Sequence, residues 1–351
     1  MRLLILGGTV FVGRHLAELA HRRGHEVTLF HRGTRPGVLP HLEHIHGDRD
    51  GGLGALDGAA SNDGAPDEGA ASTRPQDDRP RSWDVVIDTS GYVPRLVGDA
   101  LDALAGRFER YAFVSSISVY ARPDVPHLDE DAELLDLDDP TTERVDGATY
   151  GGLKALCERA VHARLGAEAL IVRPGLVAGP YDPTERFTYW VRRMDRPGPV
   201  ALPDAADQPV QWIDARDLAR FTLDRLEAGA GGTFNVVGPA DRVTFGDLID
   251  ACAAAADADP ERVRVPSDVL RDHGIRPFTD LPMWIPGDDA NLLRVSSERA
   301  RASGLRVRSL HDTVRAVRDW DEARPSEDRG GGLTTERERA VLQAWRRAQP
   351  G

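Results

Sequence analysis

The stretch RLLILGGTVFVG, residues 2–13, decides the fold class of this 351-residue chain. A short run of large apolar residues predicts a buried strand, and the apolar spacing after it predicts an amphipathic helix. A glycine where the strand ends permits a tight turn, and a glycine at the helix start lets helix and strand pack closely. Such a turn, placed between a strand and a helix, predicts a dinucleotide site whose free N–H groups face a pyrophosphate. The residues expected to contact the dinucleotide here are Gly7, Thr9, Phe11, Val12 and Gly13.

Short apolar runs continue to alternate with helical patterns through the first half of the chain. Further strands are predicted at residues 26–30, at a segment ending near 45–48, at 84–88 and at 111–115. Strands that alternate with helices form βαβ units, which give a parallel sheet. The sequence therefore predicts an α/β fold with a Rossmann-type, doubly wound parallel sheet and a smaller C-terminal α/β substrate cap.

The expected domain organisation follows from this alternation. Residues 1–180 are predicted to form the dinucleotide-binding domain and residues 181–351 the cap, with segments at about 210–240 returning to the Rossmann sheet. Residues 57–82 are rich in Gly, Ala, Ser, Asp and Pro and almost lack large apolar side chains. Such a segment buries too little surface to offset its ordering entropy, so a disordered insertion is predicted.

Composition and charge exclude several classes of function. A net charge of −13 argues against a nonspecific nucleic-acid surface, because phosphate binding needs clustered cations. The N-terminal apolar run is too short for a signal peptide or a membrane span. The two cysteines, Cys157 and Cys252, match no metal spacing and are expected to be reduced, packed thiols. A cytoplasmic protein that does not enter a membrane is the expectation.

Lys154 is the single lysine among 44 Lys and Arg residues, and it stands four positions after Tyr150. On a helix this spacing puts both side chains on one face, where the ammonium can lower the pKa of the phenol toward the range of a general acid–base catalyst. A compact ammonium can also bind ribose hydroxyls, which a bulky guanidinium does less well. The competing interpretation is a surface helix on which Lys154 pairs with Glu158.

The end of the second predicted strand reads His31-Arg32. NAD-binding chains place a carboxylate here for the ribose 2′-hydroxyl, whereas an arginine can pair with the 2′-phosphate of NADP. NADP(H) is therefore favoured over NAD(H), the alternative being that Arg32 is an ordinary exposed loop charge.

With these motifs, the chain resembles the extended short-chain dehydrogenase/reductase superfamily, and within it an atypical, reductase-like branch of the NAD(P)-dependent epimerase/dehydratase family that includes RNA-binding chloroplast relatives. The segment SSISVY, residues 115–120, is similar to the family's serine motif and implies that Ser116 supplies the catalytic hydroxyl. The resemblance implies a triad of Ser116, Tyr150 and Lys154, and a homodimer formed through the helix that carries the last two. It also implies cofactor contacts by Asp48, Thr89, Ser90, Gly91 and Pro174.

Departures from the family pattern narrow the expected reaction. Sugar-nucleotide dehydratases of the superfamily carry an Asp-Glu pair where this chain has Ile117 and Ser118. The positions of two usual sugar-nucleotide contacts, an Asn and an Arg, hold Leu176 and Val210. In the glycine turn, Val10 takes the middle glycine position and should hold the backbone farther from the pyrophosphate.

Three functions remain open from the sequence. The first is an NADP(H)-dependent carbonyl reductase or alcohol dehydrogenase for a small, non-nucleotide metabolite. The second is an epimerase that removes and returns a hydride on a sugar-like substrate, and the third is a noncatalytic, dinucleotide-dependent RNA-binding or regulatory protein.

Other clusters of chemically active residues have plainer explanations. No metal site is predicted from His41, His44 and His46, because alternate positions along a strand account for their spacing. An arginine run at residues 192–196 could bind an anion, although a solvated helix face is the commoner reason for such a run. The aromatic residues of the second half, among them Trp190 and Trp284, are expected to pack in a core, with an apolar substrate pocket as the alternative.

Overall fold

The computed structural model describes residues 1–57, 81–239, 241–325 and 329–348. Apart from its end residues 57, 81 and 82, the predicted disordered insertion at residues 57–82 lies outside the described residues.

The first half of the chain alternates strands and helices, as the apolar runs predicted. Its elements are β1 (Arg2–Leu6), α1 (Phe11–Arg22), β2 (Glu26–His31), β3 (Glu43–His46), β4 (Val85–Asp88), α2 (Pro94–Ala103), β5 (Arg110–Val114), α3 (Tyr150–Leu165) and β6 (Leu170–Pro174). Each of the five predicted strands is present and begins or ends within two residues of its predicted bounds.

The second half contains shorter strands and more helices. Its elements are β7 (Leu176–Ala178), α4 (Arg186–Met194), β8 (Val200–Pro203), β9 (Trp212–Asp214), α5 (Ala215–Glu227), β10 (Gly232–Val236), α6 (Phe245–Ala255), β11 (Arg262–Val265), α7 (Ser267–Asp272), α8 (Glu298–Ala302), α9 (Leu310–Glu322) and α10 (Thr335–Ala348). None of the helices in the described part of the chain is both long and apolar enough to cross a membrane.

The central sheet has seven strands in the order β10-β6-β5-β4-β1-β2-β3. β1 pairs in parallel with β2 on one side and with β4 on the other, and β2–β3 and β4–β5 are also parallel. The chain thus moves outward from β1 in one direction and then crosses to the other side, which is the doubly wound topology predicted from sequence. Two separate two-stranded sheets, β11-β8 and β7-β9, belong to the second half.

The described residues divide into two compact units. The first consists of residues 1–115, 137–171 and 222–232, and the second of residues 116–136, 172–221 and 233–351. The domain bounds expected from sequence, 1–180 and 181–351 with segments at about 210–240 returning to the Rossmann sheet, remain a prediction.

Each unit has its own apolar core. In the first unit, residues of β1, β4 and β5 such as Leu4, Val86 and Phe113 pack with α2 and α3. In the second unit the aromatic residues predicted to be core, Trp190 and Trp284, are both fully buried. The packing explanation of these aromatic groups is therefore confirmed.

Candidate active site

The turn between β1 and α1 has the backbone that its glycines require. Gly7 and Gly8 have φ angles of 108° and 88°, values that L-residues with a side chain rarely adopt. A Cβ on Gly13 would lie 2.6 Å from the backbone nitrogen of Gly8, so only glycine allows α1 to approach β1 this closely. The three glycines therefore bring the start of α1 directly over the carboxyl end of β1.

The N-terminus of α1 is suited to an anion. Its capping residue, Val10, has an extended backbone, makes no side-chain capping hydrogen bond and is 40% exposed, and the first turn contains no acidic residue. The N–H groups of a first helical turn lack intrahelical acceptors and carry a partial positive charge. The turn that holds Thr9, Phe11 and Val12 thus fits the pyrophosphate of a dinucleotide.

Two predicted cofactor residues follow the next strands of the sheet. Arg32 comes directly after β2, is exposed, and makes no ion pair with any residue that the structure describes. Asp48 lies two residues beyond β3, is exposed, and accepts a 3.0 Å hydrogen bond from the N–H of Asp50. Both lie at the carboxyl edge of the sheet, where doubly wound folds bind ligands.

The segment after β4 is held close to β1. Thr89 and Ser90 donate side-chain hydrogen bonds of 2.9 and 3.2 Å to the carbonyl of Leu6. A Cβ on Gly91 would lie 2.6 Å from the ring of Phe113, so a side chain there would displace the neighbouring core. These predicted cofactor residues therefore form the rigid continuation of the glycine turn along the sheet edge.

Lys154 is buried at the ends of two neighbouring strands, with 2% of its surface exposed. Its ammonium donates 2.7 Å hydrogen bonds to the carbonyls of Gly91 and Val114. It lies 4.5 and 4.9 Å from the ring centroids of Phe113 and Tyr92, within the range of cation–π attraction. Burial lowers the pKa of Lys154 to about 8. The surface-helix interpretation, in which Lys154 pairs in solvent with Glu158, is wrong because both side chains are buried.

A buried ion pair at the same strand ends was not predicted from sequence. Arg49 donates to both carboxylate oxygens of Asp88 at 2.8 and 2.7 Å, and Tyr111 donates to Asp88 at 3.0 Å. Burial opposes ionisation of Asp88, but Arg49 holds the pKa of this carboxyl below its ordinary value. The negative charge of Asp88 in turn favours the protonated form of Lys154. The sequence signal that could have revealed this ion pair was Asp88, the charged residue that ends the apolar run of β4.

Tyr150 is the first residue of α3 and stands one helical turn before Lys154. It is half-buried, and its ring centroid lies 6.3 Å from that of Tyr92. The first unit therefore brings Tyr150 and Lys154 onto a helix that packs at the strand ends beside Gly91. Tyr92, which contacts both, was not identified from sequence.

Ser116 and Pro174 belong to the second unit. Ser116 is 8% exposed and caps the short 3₁₀ helix Ile117–Val119, accepting a 3.1 Å hydrogen bond from the N–H of Ser118. Its hydroxyl also donates to the hydroxyl of Ser118 at 3.1 Å. Pro174 is the last residue of β6 and is buried. The capping interaction fixes the hydroxyl of Ser116 at the end of the chain segment that leaves β5.

The histidine cluster differs from the expectation. His44 and His46 lie on β3 as predicted, but their third partner is His31 of β2, and His41 instead packs against His21 with ring centroids 4.7 Å apart. The strand pairing, which the local spacing does not reveal, decides which imidazoles meet.

Arg192 and Arg193, the members of the arginine run that lie on α4, form neither a solvated face nor a free anion clamp. Arg192 pairs with Glu185 and Asp321, and Arg193 is buried against Glu338. These cations neutralise carboxylates of the second unit, so they stabilise its packing.

Comparison with known proteins finds a relative whose name states what it binds. The chain is 30% identical over 273 residues to the chloroplast stem-loop binding protein of 41 kDa b of Arabidopsis thaliana. The match covers 72% of this chain but only 63% of that relative, so the chain spans less than two thirds of the relative's length.

Solved structures share the fold. The human epimerase family protein SDR39U1, solved with NADPH, superposes with a TM-score of 0.57 at 21% identity, covering 91% of this chain and 99% of that one. UDP-glucuronic acid 4-epimerase from Bacillus cereus, solved with NAD, gives a TM-score of 0.61 at 17% identity, covering 92% and 99%.

The family itself is identified by a match over most of the chain. Residues 3–237 match the model of the NAD dependent epimerase/dehydratase family. This range contains the glycine turn, the strand ends with Lys154, and the serine motif. The resemblance predicted from the sequence is thereby confirmed, and the chain belongs to the NAD dependent epimerase/dehydratase family.

Proposed function

We propose that this protein is an NADP(H)-dependent oxidoreductase of the carbonyl reductase or alcohol dehydrogenase type, acting on a small, non-nucleotide metabolite. The observation that carries the proposal is the buried ammonium of Lys154 at the ends of β4 and β5, one helical turn after Tyr150. Burying a cation is costly unless it is well bonded. A chain that otherwise uses arginine has kept one lysine at this costly position, next to a phenol.

The proposed reaction assigns a separate role to the cofactor and to each side chain. When bound, the nicotinamide supplies or accepts the hydride. Tyr150 exchanges a proton with the oxygen of the substrate, one helical turn before the buried ammonium of Lys154. The serine motif makes Ser116 the proposed donor of a hydrogen bond that stabilises charge developing on a substrate oxygen.

Arg32 supports the choice of NADP(H). It is exposed at the carboxyl end of β2 and makes no ion pair among the described residues, so its guanidinium is available for the 2′-phosphate. A related fold, that of human SDR39U1, has been solved with NADPH.

Two buried apolar residues support a non-nucleotide substrate. Ile117 and Val210 are both nearly fully buried and apolar, and they occupy positions where the family resemblance places acid–base or sugar-nucleotide contacts. Neither side chain can hydrogen-bond a diphosphate or supply a proton.

The test is Tyr150→Phe, assayed by oxidation of NADPH with a panel of small aldehydes and ketones. We expect turnover to fall by about 10²–10⁴-fold, since the variant has no acid at this position. The affinity for NADPH, measured by fluorescence titration, should remain that of the unmodified protein. The control is Tyr181→Phe, which alters a half-buried tyrosine of the second unit. Unchanged turnover in Tyr150→Phe would remove the assigned triad.

An epimerase is the second candidate, because the family and the Bacillus cereus neighbour carry that activity in their names. An epimerase returns the hydride to its substrate, so it forms product without net oxidation of the cofactor. Obligatory consumption of one NADPH for each product molecule would reject this candidate.

A further inference from the structure

Three imidazoles converge where β2 and β3 end side by side. β2 and β3 are parallel, and His31 is the register partner of His46. His44 precedes His46 by two residues and so shares its face of the sheet. One nitrogen from each of the three rings lies within 4.8 Å of the other two.

The hydrogen bonds fix the protonation of two of these rings. The N–H of Gly33 donates to Nδ1 of His31 at 3.0 Å, so the proton of His31 is on Nε2 and donates to Nδ1 of His44 at 2.7 Å. The proton of His44 is then on Nε2, which lies 2.9 Å from the carbonyl of Leu39. Both rings are therefore neutral, which is the form that binds metal ions.

We propose that His31, His44 and His46 form a binding site for a divalent transition-metal ion, with Zn²⁺ as the best match. Imidazole is a ligand that suits zinc, and three histidines with a fourth open position form a known type of zinc coordination. The hydrogen bond from His44 to the Leu39 carbonyl is the kind of outer contact that orients a metal-bound imidazole. With three imidazole ligands on the ion, the fourth position takes water or an anionic oxygen.

Metal binding requires a small rearrangement with a defined proton balance. With Zn–N bonds of about 2.0–2.1 Å, the three nitrogens of a tetrahedral site lie about 3.3 Å apart. His31 and His44 must therefore separate slightly, and His46, the exposed member, must move inward. The proton on Nε2 of His31 shifts to Nδ1, which breaks the bond from Gly33, and no proton leaves the ring.

The experiment uses the full-length protein without a polyhistidine tag. Zn²⁺ is titrated by calorimetry, and Co²⁺ is titrated by visible absorption, which reports a tetrahedral site. We expect one equivalent of each metal to bind, and His44→Ala to weaken binding by at least about tenfold with loss of the cobalt spectrum. His46→Gln alters the exposed ligand and should give the same loss.

His41→Ala is the matched control. This histidine lies on the same chain segment but contacts His21 and not the cluster, so its removal should leave the affinity and the spectrum unchanged. Circular dichroism establishes that each variant is folded. The proposal is overturned if the unmodified protein binds no stoichiometric metal, or if folded His46→Gln retains its affinity and spectrum.

Discussion

Arg32 is the exposed cation at the end of β2, and its role can be tested by comparing two cofactors. We expect Arg32→Ala to weaken NADPH binding by about 10–100-fold, since it removes a charge-assisted contact of about 1.5–3 kcal/mol. NADH binding should stay the same, because NADH has no 2′-phosphate. Titration of both cofactors into Arg32→Ala and into Arg35→Ala, a control on the same exposed loop, decides the assignment. Equal NADPH and NADH affinities in the unmodified protein would refute it.

Lys154 makes the stability of the protein depend on pH. Burial lowers its pKa to about 8 from an ordinary value of 10.5. Between these values the unfolded chain holds a proton that the folded protein has released, so the free energy of unfolding rises as the pH increases. Lys154→Met removes the titrating group. From pH 7 to pH 10, the stability of the unmodified protein relative to Lys154→Met should therefore increase by about 2–3 kcal/mol.

Urea unfolding of both proteins at the two pH values measures this difference. The comparison cancels the titration of groups that both proteins share. A difference in stability that does not change with pH would show that Lys154 is not titrating in this range.

Among the elements, α1 depends on its close approach to β1. Gly13→Ala would place a Cβ 2.6 Å from the backbone of Gly8, and backbone cannot move aside as a side chain can. We expect a loss of about 1–3 kcal/mol in the free energy of unfolding. NADPH affinity should fall too, because the helix N-terminus moves away from the turn.

The control for this substitution is Gly98→Ala on α2. There the new Cβ meets only the end of the Arg164 side chain, at 2.9 Å, which can shift. Alanine also has the higher helix propensity, so the variant should stay within about 1 kcal/mol of the original or gain stability. Equal losses in both variants, measured by urea unfolding, would contradict the role of the close contact.

The elements themselves were largely predictable from local sequence. The apolar runs of β1, β2, β4 and β5 and the apolar spacing of α1 depend only on neighbours along the chain. The C-terminal helix α10 spans Thr335–Ala348. What α10 packs against was not predictable, because its partners come from distant parts of the sequence.

At the scale of the whole molecule, a buried ion pair joins α10 to other elements of the second unit. Glu338 accepts hydrogen bonds from Arg193 at 2.9 and 2.8 Å and from the N–H of Ala201 at 3.1 Å. Removing one partner leaves a buried, uncompensated charge, so Glu338→Ala should lower the free energy of unfolding by about 3–5 kcal/mol.

Glu336→Ala, an exposed glutamate of the same helix, is the matched control and should change stability by less than about 0.5 kcal/mol. Thermal and urea unfolding of the two variants measure the contrast. A small loss in Glu338→Ala would mean that α10 contributes little to the stability of the second unit.

Membership in the NAD dependent epimerase/dehydratase family confirms the family expected from sequence. The preference for NADP(H), the triad and the substrate class remain proposals.

The sequence by itself determined the strands, the glycine turn and the Tyr150–Lys154 pair, because each is encoded by residues a few positions apart. Only the tertiary structure decided that Lys154 is buried against Gly91 and Val114, that Arg49 neutralises Asp88, and that His31 joins His44 and His46. These contacts join residues brought together by strand order and register. No local pattern specifies these contacts, because they form only when segments that are distant in sequence become neighbours in the folded sheet.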